Sequence, residues 1–246
     1  MTWLSLLLLG VAVVDLVRGR WPGPVVPEAV GALVVLVLGA LVGVGPAGIP
    51  ALFGAALVVV AWSLLVRVAI APSGTALASL LALAVLGGGV VLALLVSPLA
   101  PAAGGPWQRW ASDLPWTVAA GDPDRLLLVI ALGGVQLATG NLVVRLVLAA
   151  TDTAAPEIID SPDHPPTELK GGRLLGPMER LVILGLGLAG QVTAASIVIA
   201  AKGLLRWPEL QSPREQAKVH QLTEYFLVGS FVSWSLALGS LALVAV

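Results

Sequence analysis

Seven apolar segments near membrane-spanning length constrain this chain more than any other feature: residues 2–17, 28–45, 50–71, 74–97, 124–149, 179–201 and 223–246. A helix needs about 20 apolar residues to cross the hydrocarbon layer. Within that layer each backbone N–H and C=O must find its partner inside the segment, so apolar runs of this kind become helices. The chain is 58% hydrophobic and 11% charged over 246 residues, against about 45–50% and about 25% in soluble domains. Folded in water, it would lack the polar surface to cover its core. The sequence therefore predicts an all-α integral membrane protein, a helical bundle of about seven transmembrane helices. It divides into an N-terminal transmembrane region of about five spans (1–149), an acidic Pro-rich loop (150–178) and a C-terminal helix pair (179–246).

The first run has no Lys or Arg before Trp3 and is followed by Arg18, Gly19 and Arg20. A secretory signal needs a basic start and a small-residue cleavage site, so this run is expected to be a retained span. A net charge of −1 gives no reason to expect nucleic acid as a partner. Cysteine is absent, which removes disulfides, thiolate metal sites and cysteine nucleophiles together.

Local signals place the remaining elements. Gly87, Gly88 and Gly89 at the centre of the fourth segment suit close approach of a neighbouring helix. Trp107, Trp110 and Trp116 place the 98–124 connection along the headgroup level. Asp122, Pro123 and Asp124 form a helix start: a cap, a proline at the first turn and a carboxylate at the positive end. Five acidic residues and several prolines make 150–178 a solvated loop. There Asp160, Asp163 and His164 match no metal-ligand spacing, and Pro165-Pro166 points to a rigid turn instead. Pro177 is expected to open the sixth helix with Glu179 in its first turn, and Ser212-Pro213-Arg214-Glu215 reads as a capping box for the seventh.

Polar residues at bilayer depth usually face the bundle interior. Gln136 and Asn141 fall in the fifth helix, Gln191 and Thr193 in the sixth, Ser233 and Ser235 in the seventh. No carboxylate is expected at mid-depth, so hydrogen bonding between helices outweighs a proton relay or solute path. Glu179 and Lys202 are 23 residues apart, roughly 34 Å along one helix, which puts them at opposite faces. Glu224 is therefore expected to pair with Lys202 or Arg206, beside Tyr225. On the other face Glu179 would meet Arg145 or Arg173, with Arg180 close by. With the N-terminus outside and the C-terminus inside, basic residues divide almost evenly between the two faces. A re-entrant 179–201 would remove that conflict with the positive-inside rule. Gly185-x-Gly187-x-x-Gly190 matches a dinucleotide fingerprint, but inside one apolar run it reads as a helix contact, so no cofactor is expected.

Residues 171–236 also carry a pattern of fixed polar positions: Gly171, Gly172, Arg173, Gly176, Glu179, Arg180, Gln191, Ala200, Ala201, Lys202, Arg206, Glu224, Tyr225, Gly229 and Ser233. In this stretch the chain resembles a family of bacterial multi-pass membrane proteins classed as a domain of unknown function. Two departures are Trp207, where the family more often has Phe, and Pro177 before Met178. The resemblance implies a helical membrane fold and a bacterial inner-membrane location. It brings no activity, substrate or cofactor.

No Ser/His/Asp set, zinc-protease motif or phosphate-binding loop is present, so an enzyme is not expected. The leading expectation is a scaffold or partner-binding subunit in the lipid bilayer, meeting a membrane protein or a second copy through its C-terminal helix pair. The alternative is a small-solute or ion transporter using Gln136, Asn141 and Gln191.

Overall fold

The computed structural model describes residues 1–21, 23, 25–114, 122–153, 172–210 and 216–245, with backbone alone for 172, 173, 202, 205–210 and 216–222. All regular structure among them is helical: α1 (Thr2–Arg20), α2 (Val26–Leu41), α3 (Ile49–Ala69), α4 (Ala76–Leu95), α5 (Gly105–Ser112), α6 (Pro123–Leu137), α7 (Thr139–Ala150), α8 (Gly172–Leu188), α9 (Val192–Leu210) and α10 (Gln216–Ala245). Four are long and apolar enough to cross a membrane: α1, α3 with the short turn before it, α4, and Thr223–Ala245 of α10. α6 and α7 make a fifth if the bent pair counts as one span. The expected count of seven is thus not confirmed among the described residues. α2 is a shorter apolar helix, and 179–201 is not one helix.

α1 is the axis of the bundle and packs against α2, α3, α4, α6 and α7. Leu4, Leu6, Val11 and Val14 are fully enclosed. An apolar helix surrounded on all sides needs small contact points, and Gly10 and Gly31 supply them: a Cβ at Gly10 would stand 2.5 Å from Val35 Cγ2, and one at Gly31 2.8 Å from Val14 Cγ2. α2 runs antiparallel to α1 and α3, which brings the ends of α1 and α3 bearing Arg18 and Arg67 to one end of the bundle (the Arg67 end). The opposite end is closed around Asp124. Its Oδ1 accepts from Thr2 Oγ1 at 2.7 Å and its Oδ2 from Ala103 N at 3.0 Å. Asp122 caps α6 as expected, accepting from the backbone N–H of Asp124 and Arg125. α5 lies at this end with Trp107 and Trp110 stacked obliquely, centroids 5.1 Å apart. Trp116 lies outside the described residues.

Of the three glycines in α4, Gly89 alone meets a neighbour, with a Cβ there 2.7 Å from Val58 Cγ1; Gly87 and Gly88 face open space. The fifth segment breaks. Helix assignment is interrupted at Ala138 (φ −107°, ψ −63°), and α6 and α7 meet at 52°. The sixth segment also breaks. Gly190 adopts φ +75°, its N–H bonds to Gly187 O and that of Gln191 to Leu186 O. This is the paired hydrogen bonding with which helices end in a left-handed glycine. α8 starts at Gly172, so Pro177 lies inside it rather than opening it. α9 doubles back along α8, with Ala195 packed against Ile183. α8 is parallel to α10: Arg180 meets Ser233, and a Cβ at Gly187 would meet Leu241. α10 is antiparallel to α7, with Gly229 beside Leu148 and Ser240 beside Gln136. Thr2 and Ala245 point to the same end, contrary to the opposite-end placement expected from seven crossings. The predicted cap at Ser212 lies outside the described residues.

Candidate functional site

Among the described residues, ionisable groups enter the bundle at two places, and both meet the α6–α7 break. The first is Asp15, whose side chain is fully buried. Its carboxylate accepts from Trp62 Nε1 (3.2 Å to each oxygen) and from Thr139 Oγ1 (2.8 Å to Oδ2). Arg18 Nη1 stands 3.6 Å from Oδ1. Arg18 Nη2 donates to Ser63 O at 2.9 Å and to Ser63 Oγ. Ser63 Oγ in turn donates to Glu28 Oε1 at 2.7 Å, and Glu28 pairs with Arg67. The result is a chain of alternating charge, Asp15–Arg18–Glu28–Arg67, leading from the break to the Arg67 end. Its formal sum is zero, which is how a low-dielectric interior tolerates four charges.

The second is Arg180, 1% exposed. Its Nε and Nη2 donate to Gln136 O at 3.3 and 2.9 Å, Nη2 also to Asn141 Oδ1 at 2.8 Å, and Nη1 to Ser233 Oγ at 3.2 Å. All these acceptors are neutral. Glu179, its sequence neighbour, accepts from Trp234 Nε1 at 3.0 Å. The guanidinium fits because Gly140 has no side chain: a Cβ there would lie 2.6 Å from Arg180 Nε.

The break explains why both charges can be held. An intact helix would use the Gln136 carbonyl for the N–H four residues on. The interruption at Ala138 turns it toward Arg180. Arg180 thereby sits at the negative end of α6. Asp15, bonded to the first residue of α7, sits at the positive end of that helix. Each half-helix dipole favours the charge it faces.

Several expectations are corrected here. A carboxylate does enter the bundle at the level of the break, namely Asp15. Arg180 is not an interfacial clamp; because α8 begins at Gly172, it lies two turns inside its helix. Gln191 is no polar midpoint, since it sits in the exposed turn after Gly190. Gln136 and Asn141 both bond to Arg180, Gln136 through its backbone carbonyl. Its side-chain Nε2 donates to Ser240 Oγ at 2.8 Å. Arg145 and Tyr225 border an open recess of about 460 Å³ at the Arg67 end, with Asp152. The expected pairs of Glu224 with Lys202 or Arg206, and of Glu179 with Arg173, involve side chains outside the described residues.

No family model, curated protein or solved structure matches this chain.

Sequence reasoning missed Asp15, Arg18, Glu28, Trp62, Ser63, Arg67 and Thr139 as a set. A signal for Asp15 was present: it is the acidic residue inside the first apolar run, and an ionisable group in a span is costly unless it has a role. The link of Arg67 to Glu28 needs the antiparallel return of α2.

Proposed function

We propose that this protein translocates an ion or small solute across a membrane, with the α6–α7 break as its working centre. The observation that carries this reading is the attachment of a buried carboxylate and a buried guanidinium to the two ends of one interrupted helix. Discontinuous helices whose free termini face charged groups are the usual construction of transporter centres, and ionisable residues inside a membrane generally mark ion pathways. Against transport stood the lack of a carboxylate within the bundle, and Asp15 removes that objection. Closure at both ends, by Asp124 with Thr2 and by Glu28 with Arg67, corresponds to an occluded state.

We infer a location in a bacterial inner membrane with the Arg67 end cytoplasmic. With α8–α9 as a re-entrant hairpin, Arg18, Arg20, Arg67 and Arg145 gather at that end. Arg109 and Arg125 remain at the other end, in keeping with the positive-inside rule.

The test is flux. Purified protein reconstituted in liposomes is expected to carry current or solute under imposed gradients of H⁺, Na⁺, K⁺, Cl⁻, amino acids or sugars, above empty liposomes. No flux across that panel, together with a stable co-purifying membrane protein, returns the scaffold reading.

A further inference from the structure

We propose that Asp15 is the proton carrier of this centre and that the coupling ion is H⁺ rather than a metal cation; the inference rests on the translocation reading above.

The neighbours of Asp15 decide between the two ions. A hard metal cation needs several oxygen acceptors converging on one point. The Asp15 carboxylate is instead surrounded by donors. Trp62 Nε1 is a donor only, and Arg18 cannot give up its charge. Thr139 is the exception, since its hydroxyl, 2.8 Å from Oδ2, can turn from donating to accepting. When one H⁺ arrives, the carboxylate becomes a neutral carboxyl whose O–H donates to Thr139 Oγ1. The Thr139 O–H turns away and its hydrogen bond to Oδ2 is lost, so one donor–acceptor pair reverses and the carboxyl O–H is the one covalent bond made. Among the described residues no cluster of three or more His, Asp or Glu could hold a metal.

The same residues supply an entry. Arg18 Nε and Nη1 and Glu28 Oε2 are buried and hydrogen-bond to no protein atom. Leaving such groups unsolvated costs about 1–3 kcal/mol each, so they are where water entering from the Arg67 end would bind. They lead from Glu28, 8% exposed, to within 3.6 Å of Asp15.

Other charges around Asp15 do not compete. Glu28 comes from α2 and Arg67 from α3, and both belong to the chain just described. α4 carries no ionisable residue. On α6, Asp124 and Arg125 lie at the opposite end, and on α7 the exposed Arg145 is six residues past Thr139. Protonation of Asp15 therefore leaves the set with one net positive charge. It releases Arg18 toward the unpaired Oε2 of Glu28, which links the deep site to the pair that closes the Arg67 end.

The experiment uses the full chain in liposomes loaded with a pH-sensitive dye, under a K⁺ diffusion potential, in choline salts free of Na⁺. Wild-type protein is expected to move H⁺. Asp15→Asn, which keeps the shape and loses the titrating group, is expected to lower the initial rate at least ten-fold with an unchanged elution profile. Should Asp15→Asn fail to fold, Thr139→Val keeps the carboxylate, removes the proton's acceptor and should lower the rate as well. Full H⁺ movement in Asp15→Asn, or wild-type flux that requires Na⁺ and ignores pH, overturns the proton assignment while leaving translocation standing. Wild-type protein that moves nothing defeats both.

Discussion

A Cβ added to Gly140 would lie 2.6 Å from Nε and 2.8 Å from Nη2 of Arg180, the two atoms that hold the carbonyl of Gln136. The guanidinium would have to withdraw and leave a buried cation short of acceptors. Gly140→Ala is therefore expected to destabilise the protein by about 1–3 kcal/mol, a fall of roughly 2–4 °C in Tm for each kcal/mol. Gly133→Ala, one turn before the break and facing open space, serves as the control. It should leave Tm unchanged or raise it slightly, because alanine is the better helix former. Thermal melting in detergent distinguishes the two, and equal melting of both variants would remove Gly140 from the site.

Arg180 bonds four times to three neighbours in a forked pattern that lysine cannot reproduce. Arg180→Lys should lower the folded yield nearly as far as Arg180→Gln. A double-mutant cycle of Arg180→Gln with Asn141→Ala is expected to show coupling of about 1.5–3 kcal/mol, the range for hydrogen bonds to charged groups. Additive effects would mean that the 2.8 Å contact contributes nothing.

The chain has no cysteine, so introduced pairs report helix packing without background. A Cβ at Gly134 would stand 3.1 Å from Ala12 Cβ, near the 3.5–4.5 Å typical of a disulfide. Ala12→Cys with Gly134→Cys should cross-link on mild oxidation, confirming that α1 and α6 run parallel. Gly187→Cys with Leu241→Cys should cross-link too, because α8 and α10 run side by side in the same direction. A single continuous span over 179–201 would place these elements differently and give no product for the second pair.

Single cysteines also test the orientation. Ser73→Cys, between α3 and α4, should react with an impermeant thiol reagent only when the cytoplasmic face is opened. Gly45→Cys and Ser112→Cys should react in intact cells. The reverse pattern would invert the assignment drawn from the arginines.

The helical fold was readable from the lengths of the apolar runs, and the start of α6 from Asp122-Pro123-Asp124. What stayed hidden has a common physical cause. Hydropathy measures how well a segment suits lipid, and a break such as Ala138 or Gly190 changes composition hardly at all. A one-residue interruption in an alanine- and glycine-rich run leaves the average untouched, yet it frees a carbonyl and turns a span into two half-helices. Depth was misjudged for the same reason. Arg180 looked interfacial because the apolar run starts beside it, while α8 begins eight residues earlier. Asp15 and Glu28 are far apart in sequence from Trp62, Ser63 and Thr139. Only the antiparallel return of α2 and the parallel packing of α1 on α6 bring them together.

The claim that the break lies on a translocation path is tested most directly by the chemistry of position 141. Asn141 is half-buried beside Arg180, on the first turn of α7. Asn141→Cys in native membranes is expected to react with a small impermeant thiol reagent, because a working centre must become open to water during the cycle. The rate should rise when Glu28→Gln weakens the pair that closes the Arg67 end. If position 141 stays inert in both backgrounds while Ser73→Cys reacts fully, the break is a sealed structural joint and not a path.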